Sequence, residues 1–297
     1  MNNLFAGSGE ELIKICDKKK QTIWEYTLQS EAESSGKSKE ELICKMKENL
    51  SVMKESSEMG LNKKVMSVSG LIGGDAFKLN QYMKDKETLC GDFMIKVMAR
   101  AFSSAEVNAS MGKIVAAPTA GSCGILPSVI LTTGERYNKS DEELIKALFT
   151  AAGVGIIIGN NASISGAEGG CQAECGTASA MAAAAVIEML GGTPKMALNG
   201  AAIVIKNLLG LICDPIAGLV EIPCAKRNVG GAVLALHAAD LSLAGVESKI
   251  PFDEVVNSMY RVGRMLPSTL KETALGGLAI TKTGLKMKDK IFNNKKP

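Results

Sequence analysis

Apolar residues recur at helical spacing along almost the whole chain, and no stretch alternates with the period of two that a half-buried strand requires. Between Glu10 and Glu33, Leu12, Ile13, Cys16, Ile23 and Thr27 suit one face of an amphipathic helix, which Ser34-Ser35-Gly36 breaks. Ser38 and Glu41 form a capping box, and the helix they start carries a stripe of Leu42, Met46, Leu50 and Met53. These two helices are expected to make a peripheral antiparallel hairpin over residues 1–60, packed on a larger body over 61–297. The body reads as a loop at Gly70–Gly74, one or two helices from Ala76 to Asn108, and a helix that Ser140 and Glu143 open and that runs to about Ile158. Further helices are predicted at about Lys195–Ile212, Ala225–Gly245 and Asp253–Leu270, with a frayed basic tail beyond Gly284. The fold class is therefore all-α.

Two polar stretches interrupt this pattern. Met111–Pro127 reads M-G-K-I-V-A-A-P-T-A-G-S-C-G-I-L-P, and its Pro, Thr, Gly and Ser content predicts an ordered loop. Its N–H groups, with the Thr119 and Ser122 hydroxyls, suit a carboxylate or phosphate; a plain connection between helices is the simpler alternative. It is no Walker loop, because no G-K-[ST] follows. The second stretch, Gly159–Gly166, runs into Gly169-Gly170-Cys171 and then an Ala-rich helix. Small residues from Gly176 to Ala185 let neighbouring helices approach closely, so this helix is expected to be central and buried. Cys171 sits at its N-terminus, where free N–H groups and the helix dipole favour a thiolate. Cys213 and Cys224 bracket a segment that Pro215, Gly218 and Pro223 keep from being helix interior. Three thiols in such stiff surroundings suit a soft-metal or iron–sulfur site, and equally a set of small buried hydrophobes; spacing leaves both open. No C-x₂-C pair or nearby histidine completes a zinc finger.

Composition narrows the function classes. The 297 residues are 46% hydrophobic but only 4% aromatic, so the core is built from Ala, Ile, Leu, Val and Met, a mixture that leans helical. A net charge of +3 lends no support to nucleic-acid binding. Eight cysteines without a signal peptide point to a reducing, cytoplasmic setting. The most apolar stretch, Met196–Ile212, carries Asn199, Lys206 and Asn207 and makes a poor membrane span.

Taken together, Ala116–Pro127 (A-A-P-T-A-G-S-C-G-I-L-P), Asn160–Gly176 (N-N-A-S-I-S-G-A-E-G-G-C-Q-A-E-C-G), Cys213–Cys224 (C-D-P-I-A-G-L-V-E-I-P-C) and Arg227-Asn228 resemble the iron–sulfur-dependent L-serine dehydratases, specifically the α chain of the two-chain bacterial form. The resemblance covers nearly the whole chain. It implies an all-helical catalytic domain that holds a [4Fe–4S] cluster on Cys171, Cys213 and Cys224, with Cys175 outside the ligand set. Three protein sulfurs leave one iron open to polarise the substrate hydroxyl, so that L-serine is eliminated to pyruvate and ammonia. Thr119, Gly121 and Ser122 in one loop, and Asn161, Ser163 and Ser165 in the other, then hold the substrate's carboxylate and ammonium. Lys113 is a further candidate for the carboxylate, against the plainer reading of an exposed loop lysine. No general base is visible: His237 lies in V-L-A-L-H-A-A-D, matches no family motif and reads as a core residue. The base or a lid is therefore expected from a β subunit, the partner that the resemblance implies, since nothing here resembles the extra segment of single-chain relatives. Competing readings are a related cysteine desulfidase and an electron-transfer protein whose cluster Cys175 closes. A pyridoxal-phosphate dehydratase with Lys113 as Schiff base lacks the strands it needs.

Overall fold

The computed structural model describes residues 5–293, whose regular structure is entirely helical. The helices are α1 (Gly9–Lys19), α2 (Ile23–Ser35), α3 (Lys39–Asn62), α4 (Asp75–Asp85), α5 (Gly91–Ala109), α6 (Ile125–Arg136), α7 (Asp141–Asn161), the single turn α8 (Gly166–Gly169), α9 (Cys171–Met189), α10 (Pro194–Leu208), α11 (Cys224–Leu243), α12 (Phe252–Met265) and α13 (Lys282–Asn293). Only two isolated bridges, Met66 with Gly73 and Cys213 with Lys271, pair extended residues among the described residues.

α9 runs through the middle. Every residue from Cys175 to Ile187 is buried, and α6, α7, α10 and α11 pack against it. Its Ala, Gly and Ser side chains let the neighbours approach closely: a Cβ on Gly231 of α11 would lie 2.6 Å from Ser179 Oγ.

Local signals place most helix starts. Ser38–Glu41 and Ser140–Glu143 form complete capping boxes at α3 and α7. The single helix expected over residues 10–33 is instead two, because Lys20 takes a left-handed conformation (φ 52) and Thr22 with Glu25 makes another capping box. α2 lies mainly along α7 and α3 along α5, so their apolar stripes face the body more than each other. Leu12, Ile23, Leu42, Leu50 and Met53 all join the main core. The tail expected to fray is helix α13 up to Asn293. Thr281 Oγ1 accepts the Gly284 N–H (3.1 Å), and the absence of a side chain at Gly284 lets the helix lie against the Leu278 carbonyl, 2.5 Å from where a Cβ would be.

Other helix N-termini are capped from a distance. Asp253 of α12 accepts the N–H groups of Gly9 and Glu10, and Glu188 of α9 those of Ile23 and Trp24. At α4 the N-cap is Gly74, so fully buried Glu106 of α5 supplies the acceptor, taking the Asp75 N–H at 2.6 Å and the Ala76 N–H at 3.3 Å. Burial pushes the Glu106 carboxyl up to about 7 from an ordinary 4.5, although these N–H groups favour its charge. Because the folded value lies above the unfolded one, the contribution is fully present below pH 4.5 and is lost as pH rises towards 7. Urea unfolding at pH 5 and pH 8 is expected to show stability falling by up to about 3 kcal/mol, with Glu106→Gln flattening the slope. An unchanged slope in that variant would remove Glu106 as its source.

Candidate active site

Two cysteines open helices. Cys171 is the first residue of α9, after Gly170 (φ 79), whose Cβ would lie 2.8 Å from Leu211 O. Cys224 is the first residue of α11, after Pro223. Neither helix has a side-chain cap, so both positive ends serve the sulfurs. Cys213 arrives on an extended segment: its N–H donates to Leu270 O (2.9 Å) and its carbonyl accepts the Glu272 N–H (2.8 Å).

These elements bring the three thiols to one place. Cys175 Sγ lies within 4.8 Å of Cys171 Sγ, the Cys213 thiol stands beside it, and Arg227 Nη1 is 3.5 Å away. The two neighbouring thiols, and then the guanidinium, draw Cys171 well towards the thiolate. Cys213 and Cys175 are raised in return, chiefly by Cys171. Burial, followed by the Cys171 charge, pushes Cys224 up to about 12. Arg227 also donates from Nη1 to Ile212 O (2.8 Å) and pairs through Nη2 with Asp214 (2.8 Å). Asp214 in turn accepts the Leu278 N–H at 2.6 Å. That approach requires glycine at 277, where φ is 57 and a Cβ would meet Asp214 Oδ2 at 2.3 Å.

Two carboxylates face the sulfurs. Glu174 follows Cys171 by three residues on the same helix face, and an oxygen of it lies with Cys171 Sγ and Cys175 Sγ within a 4.8 Å group. The Thr119 hydroxyl donates to Glu174 and lies 3.2 Å from Ser122 Oγ. Burial pushes Glu174 up to about 7, with Thr119 opposing and Cys171 and Glu272 adding to the rise. Glu272 is raised by burial and by Cys171. Both loops come in on glycines. A Cβ on Gly121 would lie 2.5 Å from Glu174 Oε1, and one on Gly166 would lie 3.1 Å from Cys213 Sγ and 3.4 Å from oxygens of Glu174 and Glu272. Buried Asn228 locks the first loop to α11, accepting the Gly124 N–H (2.9 Å) and donating to Gly121 O (2.7 Å) and Cys224 O (3.0 Å).

Of the residues expected at the site, Thr119, Gly121, Ser122, Cys171, Cys213 and Cys224 lie around Glu174 and the Cys171 sulfur. The other expected residues stand apart. Lys113 is exposed, with no ion pair among the described residues. Asn161 donates to Gly7 O and Ile157 O, both at 2.9 Å, tying the end of α7 to the N-terminal segment. Ser163 Oγ accepts the Ser165 N–H (3.1 Å), and Ser165 Oγ accepts that of Ala167 (3.2 Å), so both shape the turn before Gly166. His237 is exposed rather than core, and at 13 residues along α11 it lies about 20 Å from Cys224. Glu174, Asp214 and Glu272 were not singled out from the sequence. The three-residue spacing of Glu174 from Cys171 was a readable signal, as was the place of Asp214 directly after Cys213; Glu272 has none. No described helix is long and apolar enough to cross a membrane.

A family model described as the serine dehydratase alpha chain matches residues 18–279. The probable L-serine dehydratase alpha chain of Bacillus subtilis is 48% identical over 283 residues, covering 95% of this chain and 94% of that protein. The L-serine dehydratase alpha chain of Peptoniphilus asaccharolyticus is 47% identical over 284 residues, covering 96% and 97%. The L-serine dehydratase TdcG of Escherichia coli is 37% identical over 281 residues, which are 92% of this chain but 61% of that protein.

Proposed function

The chain belongs to the serine dehydratase alpha-chain family, and from that premise we propose a division of labour among its residues in an L-serine ammonia-lyase that forms pyruvate and ammonia. The observation that carries this reading is the meeting of three buried thiols from separate elements beside the Thr119–Glu174 pair.

Cys171, Cys213 and Cys224 are assigned as holders of a [4Fe–4S] cluster. The donors fit: all are sulfur, all are buried, Cys171 is already drawn to the thiolate, and two sit at positive helix ends. Cys175 lies one turn deeper in α9 and is assigned to hydrogen-bonding Cys171 rather than to the cluster. When bound, the cluster would supply a Lewis-acidic iron for the leaving hydroxyl. Arg227, pinned by Asp214, balances the thiolate charge. Thr119 and Ser122 orient the substrate's polar groups, and Gly121 and Gly166 let the two loops close on Glu174 and Glu272. The two carboxylates are assigned to take the α-ammonium, and Glu174, which burial pushes up to about 7, would gain charge as the ammonium approaches. The proton acceptor at the α-carbon is assigned to a partner subunit. All eight cysteines are free, which supports a reducing compartment, the cytoplasm.

The test is anaerobic purification with the partner chain, followed by pyruvate formation from L-serine together with iron and sulfide content; absence of turnover by an iron-loaded complex overturns the reading. Within that assay Thr119→Ala and Ser122→Ala are expected to lower kcat/KM by roughly ten- to a hundredfold, at unchanged iron content. Asn161→Ala is expected to change thermal stability and leave kcat/KM near wild type. Normal turnover in both loop variants would make the loop a structural connection.

A further inference from the structure

A second cavity, of about 360 Å³, lies across the first turn of α9 from the thiols. Ser163, Glu168 and Ala173 line it, together with Tyr260 and Arg264 of α12 and Lys271. Ala173 is two residues beyond Cys171, about 200° round the helix, so the cavity and the sulfurs face opposite ways. α8 is the wall between them. Its Gly166 presses on Cys213 and Glu174, while its Gly169 lines the cavity beside Gly263, where a Cβ would come within 2.9 Å of Gly169 Cα.

The charges in this cavity are free. No side chain of Glu168, Arg264 or Lys271 has an ion-pair partner among the described residues. Arg100 and Arg227, by contrast, are both held by carboxylates. A guanidinium, an ammonium and one carboxylate in the same lining, with the Ser163 and Tyr260 hydroxyls, complement a ligand bearing one carboxylate and one ammonium. The volume is at the small end of the roughly 300–1,000 Å³ range of ligand pockets, which suits a single metabolite and not a nucleotide. We infer that this cavity binds a free α-amino acid as its zwitterion, at a site separate from the thiols. This goes beyond the lyase reading and draws on it only in that the substrate is itself an α-amino acid. Arg264 and Lys271 take the carboxylate and Glu168 the ammonium. Lys271 is bridged to Cys213 and directly precedes Glu272, so this ligand sits one residue from a carboxylate assigned to the substrate's ammonium.

Isothermal titration of the full chain with L-alanine, which has both charged groups but no hydroxyl to eliminate, tests the inference. Saturable binding that depends on the cavity's charged side chains is expected. Arg264→Ala and Glu168→Gln should each weaken it at least about tenfold, while Thr119→Ala in the catalytic loop leaves it unchanged. Both altered side chains are exposed, so the variants are expected to fold, which circular dichroism checks. L-lactate, with a hydroxyl in place of the ammonium, should bind at least about tenfold more weakly than L-alanine. No saturable binding, equal binding of lactate, or a titration lost in Thr119→Ala but kept in Arg264→Ala would each overturn the inference. Serine turnover by the complex is measured separately: alanine binding without turnover supports this site and sinks only the lyase reading, and turnover without alanine binding does the reverse.

Discussion

Cys171→Ser, Cys213→Ser and Cys224→Ser are each expected to reduce L-serine turnover to background and to empty the protein of iron and sulfide. A hydroxyl at these positions stays protonated near neutral pH and is a poor ligand for iron, whereas a thiolate is the donor that iron–sulfur clusters take. The effect should be largest at Cys171. Its sulfur stands beside the Cys175 and Cys213 thiols and faces Arg227, so its loss also leaves a guanidinium without one of its counter-charges. Cys44→Ser and Cys90→Ser, at exposed positions, and Cys16→Ser, in the core beside α2, should keep iron and turnover. Cys175→Ser should keep its iron as well, because a hydroxyl can still donate to the Cys171 sulfur. Full iron content in the Cys224→Ser protein would overturn the ligand assignment, and an iron-free Cys175→Ser protein would move that sulfur into the ligand set.

The other large effect is dependence on a partner chain. Purified alone, the chain is expected to hold iron yet turn over L-serine at background rate, with activity rising to a plateau as the partner subunit is titrated in. Elimination needs a proton acceptor within about 3 Å of the α-proton or one water further. Near the sulfurs the titratable oxygens are those of Glu174, Asp214 and Glu272; Asp214 is committed to Arg227 and the Leu278 N–H, and Glu174 to Thr119. His237 lies at the far side of more than three helical turns. Relatives of nearly the same length are named as alpha chains, while this chain spans 61% of the longer Escherichia coli relative. Full turnover by a chain shown free of any partner would end the two-subunit reading and put the base among Glu174 and Glu272, to be separated by Glu174→Gln and Glu272→Gln.

What the sequence by itself determined is what short-range chemistry controls. Helical periodicity without strand alternation sets the all-α class, and capping boxes at Ser38–Glu41 and Ser140–Glu143 start helices because donor and acceptor lie three residues apart. Thr22–Glu25 is equally local, and overlooking it merges α1 with α2. The glycines and prolines around Cys171, Cys213 and Cys224 mark positions that no helix interior tolerates, and so mark the site. Tertiary structure decided everything that depends on distant partners. Asp253, Glu188 and Glu106 cap helices that begin 244, 165 and 31 residues away in sequence. Glu272 reaches the sulfurs only because the Leu270–Glu272 segment pairs with Cys213, and Asn161 turns to Gly7 rather than to the Thr119–Ser122 loop. A carboxylate or carboxamide carries no mark of which remote N–H or carbonyl will satisfy it; packing of the helices around α9 makes that choice, since each buried polar group must find a partner where the backbone leaves it.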